Sequence, residues 1–129
     1  MKLLLIILLS CTWELLQSII AMYVLLVNCK NIKEVQRYNL SIVFILKKGS
    51  IYGLSLGRFI FIHEKKINND DTKKHEYGHG LQSLMLWIFY LFIIGIPSLC
   101  NQNIRNEKIY FSKYPENWAD KLGNVKRKY

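Results

Sequence analysis

The sequence predicts an α+β chain. An N-terminal transmembrane helix leads into a short antiparallel β-hairpin or sheet, then a long helix carrying His75-Glu76-Tyr77-Gly78-His79 and a C-terminal helix carrying Glu116-Asn117-Trp118-Ala119-Asp120. Three observations predict it. Leu3 to Val27 is an apolar run of about 25 residues, and a helix crosses a hydrocarbon layer with about 20. Two β-rich runs, Ser41–Leu46 and Arg58–Ile62, bracket the turn residues Lys47–Ser50 and a glycine-spaced stretch ending at Gly57. Beyond them, no stop signal stands between Lys73 and Gly95.

The first element fits the composition. Hydrophobic residues make up 51% of the 129, yet the formal charge is +9, a pairing expected of a membrane protein with basic flanks. The basic residues are spread along the chain and form no nucleic-acid module, so nucleic acid is not an expected partner. Cys11, Cys29 and Cys100 have no ligand spacing and are expected to be buried thiols. Leu8-Leu9-Ser10-Cys11 has the look of a lipoprotein cleavage box, but the apolar run continues past it and no small-x-small site follows, so residues 1–28 are expected to stay as an anchor. Within that run Ser10, Glu14, Gln17 and Ser18 share one helical face, which should meet protein rather than lipid. A carboxylate there costs about 2.5–3.5 kcal/mol to insert and needs a partner. Glu14 is therefore either a packing residue facing another helix or a relay or substrate contact.

The middle of the chain reads as two or three short antiparallel strands, with His63 ending the last of them. Asp70, Asp71 and Thr72 are candidate caps for a helix that begins near Lys73 and runs about 22 residues, or about 33 Å. Gly78 and Gly80 each cost up to about 1 kcal/mol in a helix. Close approach of another backbone, such as the strand ending near Ile62, would compensate.

His75 and His79 are four apart, so on a helix both imidazoles project from one face and can reach a single Zn²⁺. Glu76 lies beside that face, placed to take a proton from metal-bound water. A catalytic zinc takes three protein ligands and keeps a fourth position open. Downstream, Pro115 suits a first helical turn and puts Glu116 and Asp120 on one face at i, i+4. Glu116 is then the third ligand, and Asp120 accepts a ring N–H from one histidine and fixes its tautomer. One Zn²⁺ per chain is expected. Tyr110, Tyr114 and Arg105 are candidate transition-state stabilisers by neighbourhood.

His-Glu-x-x-His followed by Glu-x-x-Ala-Asp resembles the gluzincin metallopeptidases, above all the membrane-bound branch that includes the CAAX prenyl protease and heat-shock membrane proteases. The chain also resembles a set of small bacterial membrane proteins whose His-Glu-Tyr-Gly-His helix runs into Gln-Ser, here Gln82-Ser83. The resemblance spans Arg58 to Gly123. It implies a minimal zincin-like domain with a strand beside the active-site helix, its edge open to an extended peptide.

On this reading residues 1–28 are the anchor and 29–129 the metallopeptidase domain. Leu84 to Ile96 is apolar on every face, yet no later apolar run could return Glu116 through lipid to His75 and His79. This segment is therefore expected to be membrane-associated without crossing, packed on the Ser10/Glu14/Gln17 face or dipping into the bilayer. Residues 29–83 carry ten Lys/Arg against five acids, and 101–129 seven against three. The positive-inside rule puts both on the cytoplasmic side of a membrane crossed once, in bacteria the inner membrane. The expected function is hydrolysis of a peptide or protein substrate near that membrane, with lipid as the other partner. Alternatives are a non-catalytic, metal-stabilised membrane scaffold or interaction protein, and a small membrane toxin or immunity-type protein acting through its basic, apolar surface.

Overall fold

The computed structural model describes residues 1–128 and has six α-helices and one four-stranded sheet among them. Helices α1 (Lys2–Cys11) and α2 (Leu15–Asn28) come first. Strands β1 (Ile32–Tyr38), β2 (Ser41–Leu46), β3 (Gly53–Leu56) and β4 (Phe59–His63) follow. Helix α3 (Asp70–Leu86) leads through short 3-10 and π turns to α4 (Ile96–Asn101), α5 (Glu107–Ser112) and α6 (Glu116–Gly123).

The apolar N-terminal run is not one helix. It breaks at Thr12–Glu14, and the axes on either side are bent by 101°, so no single helix is long and apolar enough to cross a membrane. The cause sits at the bend. Glu14, fully buried, forms an ion pair with the equally buried Arg58 at 2.9 Å, and the same guanidinium donates to the Gly80 carbonyl of α3. A straight helix would carry Glu14 away from this partner. Ser10, Gln17 and Ser18 are buried with it, as the shared helical face predicts, and Glu14 is a packing residue tied to the sheet.

The sheet is mixed, in the order β1-β2-β4-β3. The runs expected to pair antiparallel are in fact parallel neighbours, Ile42 opposite Phe59 through Leu46 opposite His63. Residues 47–58 supply the crossover a parallel pair requires, and they fold β3 back onto the outer edge of β4. Gly57 makes that last turn with φ 61°, where a Cβ would also press on Glu14. Strand β1 was not expected. A register shift between Ile32 and Glu34 breaks the alternation that would have revealed it. Both sheet faces are covered. Phe44, Leu46 and Phe61 pack with Ala21 of α2, while Val43, Ile45, Ile60 and Ile62 meet Tyr77 of α3, which explains strands apolar at nearly every position.

Helix α3 starts three residues before the expected Lys73. Asn69, rather than Asp70, Asp71 or Thr72, caps it, its side chain accepting from the Asp71 N–H at 3.0 Å. It ends at Leu86 rather than at Gly95, where Trp87 turns left-handed with φ 53°. The freed carbonyls are taken by the N-terminal helices. Trp13 Nε1 donates to the Leu84 carbonyl and Gln17 Nε2 to that of Trp87, both at 2.9 Å. The start of the Leu84–Ile96 segment, at Leu84 and Trp87, is thus held by Trp13 and Gln17, on the side one of its two expected positions names. The three cysteines are exposed rather than buried, because the apolar helices that carry them turn much of their surface outward.

Candidate metal centre

Helices α3 and α6 lie backbone to backbone. A Cβ on Gly78 would collide with the Ala119 carbonyl, and one on Gly123 with that of Lys74. The compensation expected for the two glycines is thus found, but for Gly78 it comes from α6. Gly80 faces the Gly57 carbonyl and Arg58 at the start of β4. This approach brings His75 and His79 opposite Glu116 and Asp120, and fully buried Ala119 is the small residue that permits it. Asn124, left-handed with φ 58°, closes α6.

Both imidazole Nε2 atoms point at one oxygen. His75 Nε2 is 3.1 Å and His79 Nε2 3.0 Å from Glu116 Oε2, and Ser98 donates to Glu116 Oε1 at 2.6 Å. Ligand atoms of all three residues lie within 4.8 Å of one another. That grouping could hold a metal ion.

The hydrogen bonds behind the rings give the sharper test. His75 Nδ1 lies 2.6 Å from Asp120 Oδ1, an acceptor, so Nδ1 carries the proton. His79 Nδ1 lies 2.8 Å from Gln82 Oε1. The amide of Gln82 cannot be turned round, because its Nε2 donates to the Pro115 carbonyl at 3.2 Å. His79 Nδ1 is therefore protonated too. Two neutral rings would then aim bare Nε2 lone pairs at a carboxylate oxygen, three acceptors without a donor. Only a proton or a metal cation relieves that arrangement.

Charges around the cluster follow. Burial disfavours charge on His75, yet its hydrogen bonds to Asp120 and Glu116 outweigh this and push its pKa up to about 9. Burial would raise Glu116, but the two histidines hold its carboxyl well below the usual range. Asp120 is likewise lowered against the effect of burial by His75 and Arg127. Burial raises the pKa of Glu76.

A cleft of about 730 Å³ opens beside the cluster, lined by His75, Glu76, Tyr110, Arg105, Arg127 and Gly53 of β3. Glu76 packs so closely on Gly53 that any Cβ there would strike its carboxylate. Strand β3 is an edge of the sheet. Of the three candidate stabilisers, Arg105 and Tyr110 line this cleft, and burial raises the pKa of the Tyr110 hydroxyl. Tyr114 turns away and donates to the Ile93 carbonyl at 2.9 Å. His63 is a strand-end residue, as expected, its Nδ1 accepting from the Lys65 N–H at 3.2 Å.

Three residues with roles here were not singled out by spacing. Gln82 orients His79, and Ser98 holds Glu116. Arg127 grips Asp120 at 2.6 and 2.9 Å and stacks on Phe111, 3.2 Å from the ring centroid. Gln82 stands three positions after His79, a spacing that could have revealed it. Arg127 follows the left-handed turn at Asn124, so no helical spacing links it to Asp120. No protein-family model, curated protein or solved structure gives a match to this chain.

Proposed function

We propose that the chain is a membrane-anchored, gluzincin-type zinc metallopeptidase, with His75, His79 and Glu116 as ligands and Glu76 as general base. The observation that carries this reading is the convergence of two Nδ1-protonated imidazoles and a buried carboxylate on one point, a place that a metal cation can take from the proton His75 otherwise holds there. Two nitrogens and one carboxylate oxygen are a donor set suited to zinc. Bound zinc supplies a Lewis acid for a scissile carbonyl and lowers the pKa of a coordinated water.

The chain's own residues account for the rest. Glu76 sits in the cleft wall with a raised proton affinity, placed to accept a proton on its carboxylate and return it to the leaving amine. Arg105 and Tyr110 bring donors to the same cleft for the charge that develops on the carbonyl oxygen. The free edge of β3 offers backbone groups to an extended peptide lying past Glu76. Asp120, held by Arg127, and Gln82 position the two rings. The apolar N-terminal helices and the Leu84–Ile96 segment supply the membrane attachment, so the substrate is a peptide segment close to the bilayer.

Zinc content and peptide cleavage by the purified full chain test the proposal. One zinc per chain is expected, with Glu76→Gln lowering cleavage at least about a hundredfold while the zinc stays bound. Undiminished cleavage by Glu76→Gln overturns the assigned base, and metal-free protein after growth and purification with zinc overturns the centre.

A further inference from the structure

The apolar residues outside the core are not scattered. Trp13 of the α1–α2 bend stacks on Trp87 with ring centroids 5.3 Å apart and donates to the Leu84 carbonyl, joining two chain segments along one seam. On either side of it Leu4, Leu8, Ile19, Leu26, Phe89 and Phe92 are between 52% and 68% exposed. The 3–27 and 85–99 segments contain one charged residue, Glu14, and it is turned inward onto Arg58. All 18 Lys and Arg lie outside these segments, with Lys2, Lys30 and Arg105 close to their ends. Uncharged apolar segments bounded by cations match the hydrocarbon and the anionic headgroups of a bilayer.

The bend limits how those segments can be used. Helices of 10 and 14 residues are about 15 and 21 Å long, each short of a hydrocarbon core of about 30 Å. Their corner is fastened through Arg58 to Gly80 of α3, so the bend is held by contacts inside the protein. We propose that the chain lies in a single leaflet of an anionic bilayer, inserting the exposed apolar residues of α1, α2 and the Met85–Leu99 segment, without crossing it. This rests on the membrane attachment in the reading above and replaces a single crossing by Leu3–Val27. Leu99, 61% exposed, also lines the cleft, so the cleft opens beside the inserted residues. The fitting substrate class is the juxtamembrane segment of a protein embedded in the same leaflet.

The test adds the full chain to preformed vesicles of phosphatidylglycerol and phosphatidylethanolamine. The protein should float with the vesicles and stay bound in about 1 M salt, where the screening length is about 3 Å; release by salt overturns insertion. An impermeant maleimide is then applied to two single-cysteine forms on a Cys11→Ser/Cys100→Ser background, one keeping Cys29 and one carrying Lys2→Cys and Cys29→Ser. Labelling of both before detergent is expected. Labelling of Cys29 but protection of position 2 until detergent is added means a crossing, which overturns the single-leaflet arrangement and leaves the membrane attachment standing. Failure to float, or a discrete lipid-free dimer that no longer binds vesicles, overturns both. Zinc content and Glu76→Gln are read separately and decide the catalytic reading independently.

Discussion

Gly78 of α3 and Ala119 of α6 meet with no room for a side chain between them: a Cβ on Gly78 would enter the Ala119 carbonyl. The ligand cluster exists only because these two backbones touch. Gly78→Ala should force the helices apart, costing about 1–3 kcal/mol as an overpacked contact and weakening zinc binding with it. Gly95 is the control, since the nearest atoms to a Cβ there are 3.8 Å away. Gly95→Ala should leave zinc affinity unchanged and stability equal or higher by up to about 1 kcal/mol. Chelator competition and denaturant titration read both.

The hydrogen bonds behind the rings predict a graded effect on metal affinity. Gln82→Leu removes the acceptor for His79 Nδ1, and Asp120→Asn weakens the one for His75. Each should lower zinc affinity about 10–100-fold, measured by competition with a chromophoric chelator. Gln82→Glu keeps an acceptor facing the ring and should recover part of the loss.

Metal and proton compete for one place. With the His75 pKa pushed up to about 9 in the metal-free protein, zinc must displace a proton near neutral pH. Affinity should therefore rise with pH up to about 9, with proton release measurable by calorimetry in buffers of different ionisation enthalpy. The metal-free stability profile has a sign at each end. A raised histidine pKa stabilises fully below about 6.5, and that contribution is lost as pH climbs through about 9. The lowered pKa values of Glu116 and Asp120 stabilise above about 4, and that contribution is lost as pH falls. The metal-free chain should be most stable between those limits, and zinc should shift the optimum upward.

The buried pair at the N-terminal bend predicts an asymmetry. Glu14→Ala leaves the Arg58 guanidinium buried without its partner and should cost about 3–5 kcal/mol. Glu14→Leu combined with Arg58→Met removes both charges and should recover much of this, though the bond from Arg58 to the Gly80 carbonyl is still lost. Thermal unfolding of the three forms in detergent would show it. A double variant no more stable than Glu14→Ala would mean that the pair's geometry, rather than charge neutrality, holds the bend.

The helical faces of the candidate site were the most legible part of the sequence. A four-residue histidine spacing and a proline-led Glu-x-x-x-Asp each fix a helical face, and those faces meet as expected. The chain does fold back after α3, and Glu116 reaches the two histidines. Strand pairing was less legible. Ser41–Leu46 and Phe59–Ile62 are buried on both faces, so neither shows an alternation that separates parallel from antiparallel. The apolar run from Leu3 hid its bend for a similar reason, since hydropathy is blind to a single buried carboxylate whose partner lies 44 positions away.

His79 and Glu116 are 37 positions apart. A metal joining them closes a loop that contains the whole apolar turn after α3 and the start of the C-terminal helices. By the chain-entropy reckoning used for cross-links, tying such a loop restricts the unfolded ensemble by about 4 kcal/mol. Zinc would then act as a clasp as well as a reagent. Without it α6 keeps its backbone packing on α3 and a shared proton, and the loop before it, α5 included, is the segment a cellular protease would reach first. Metal supply would thus regulate how many copies of the chain persist, in addition to how many are active.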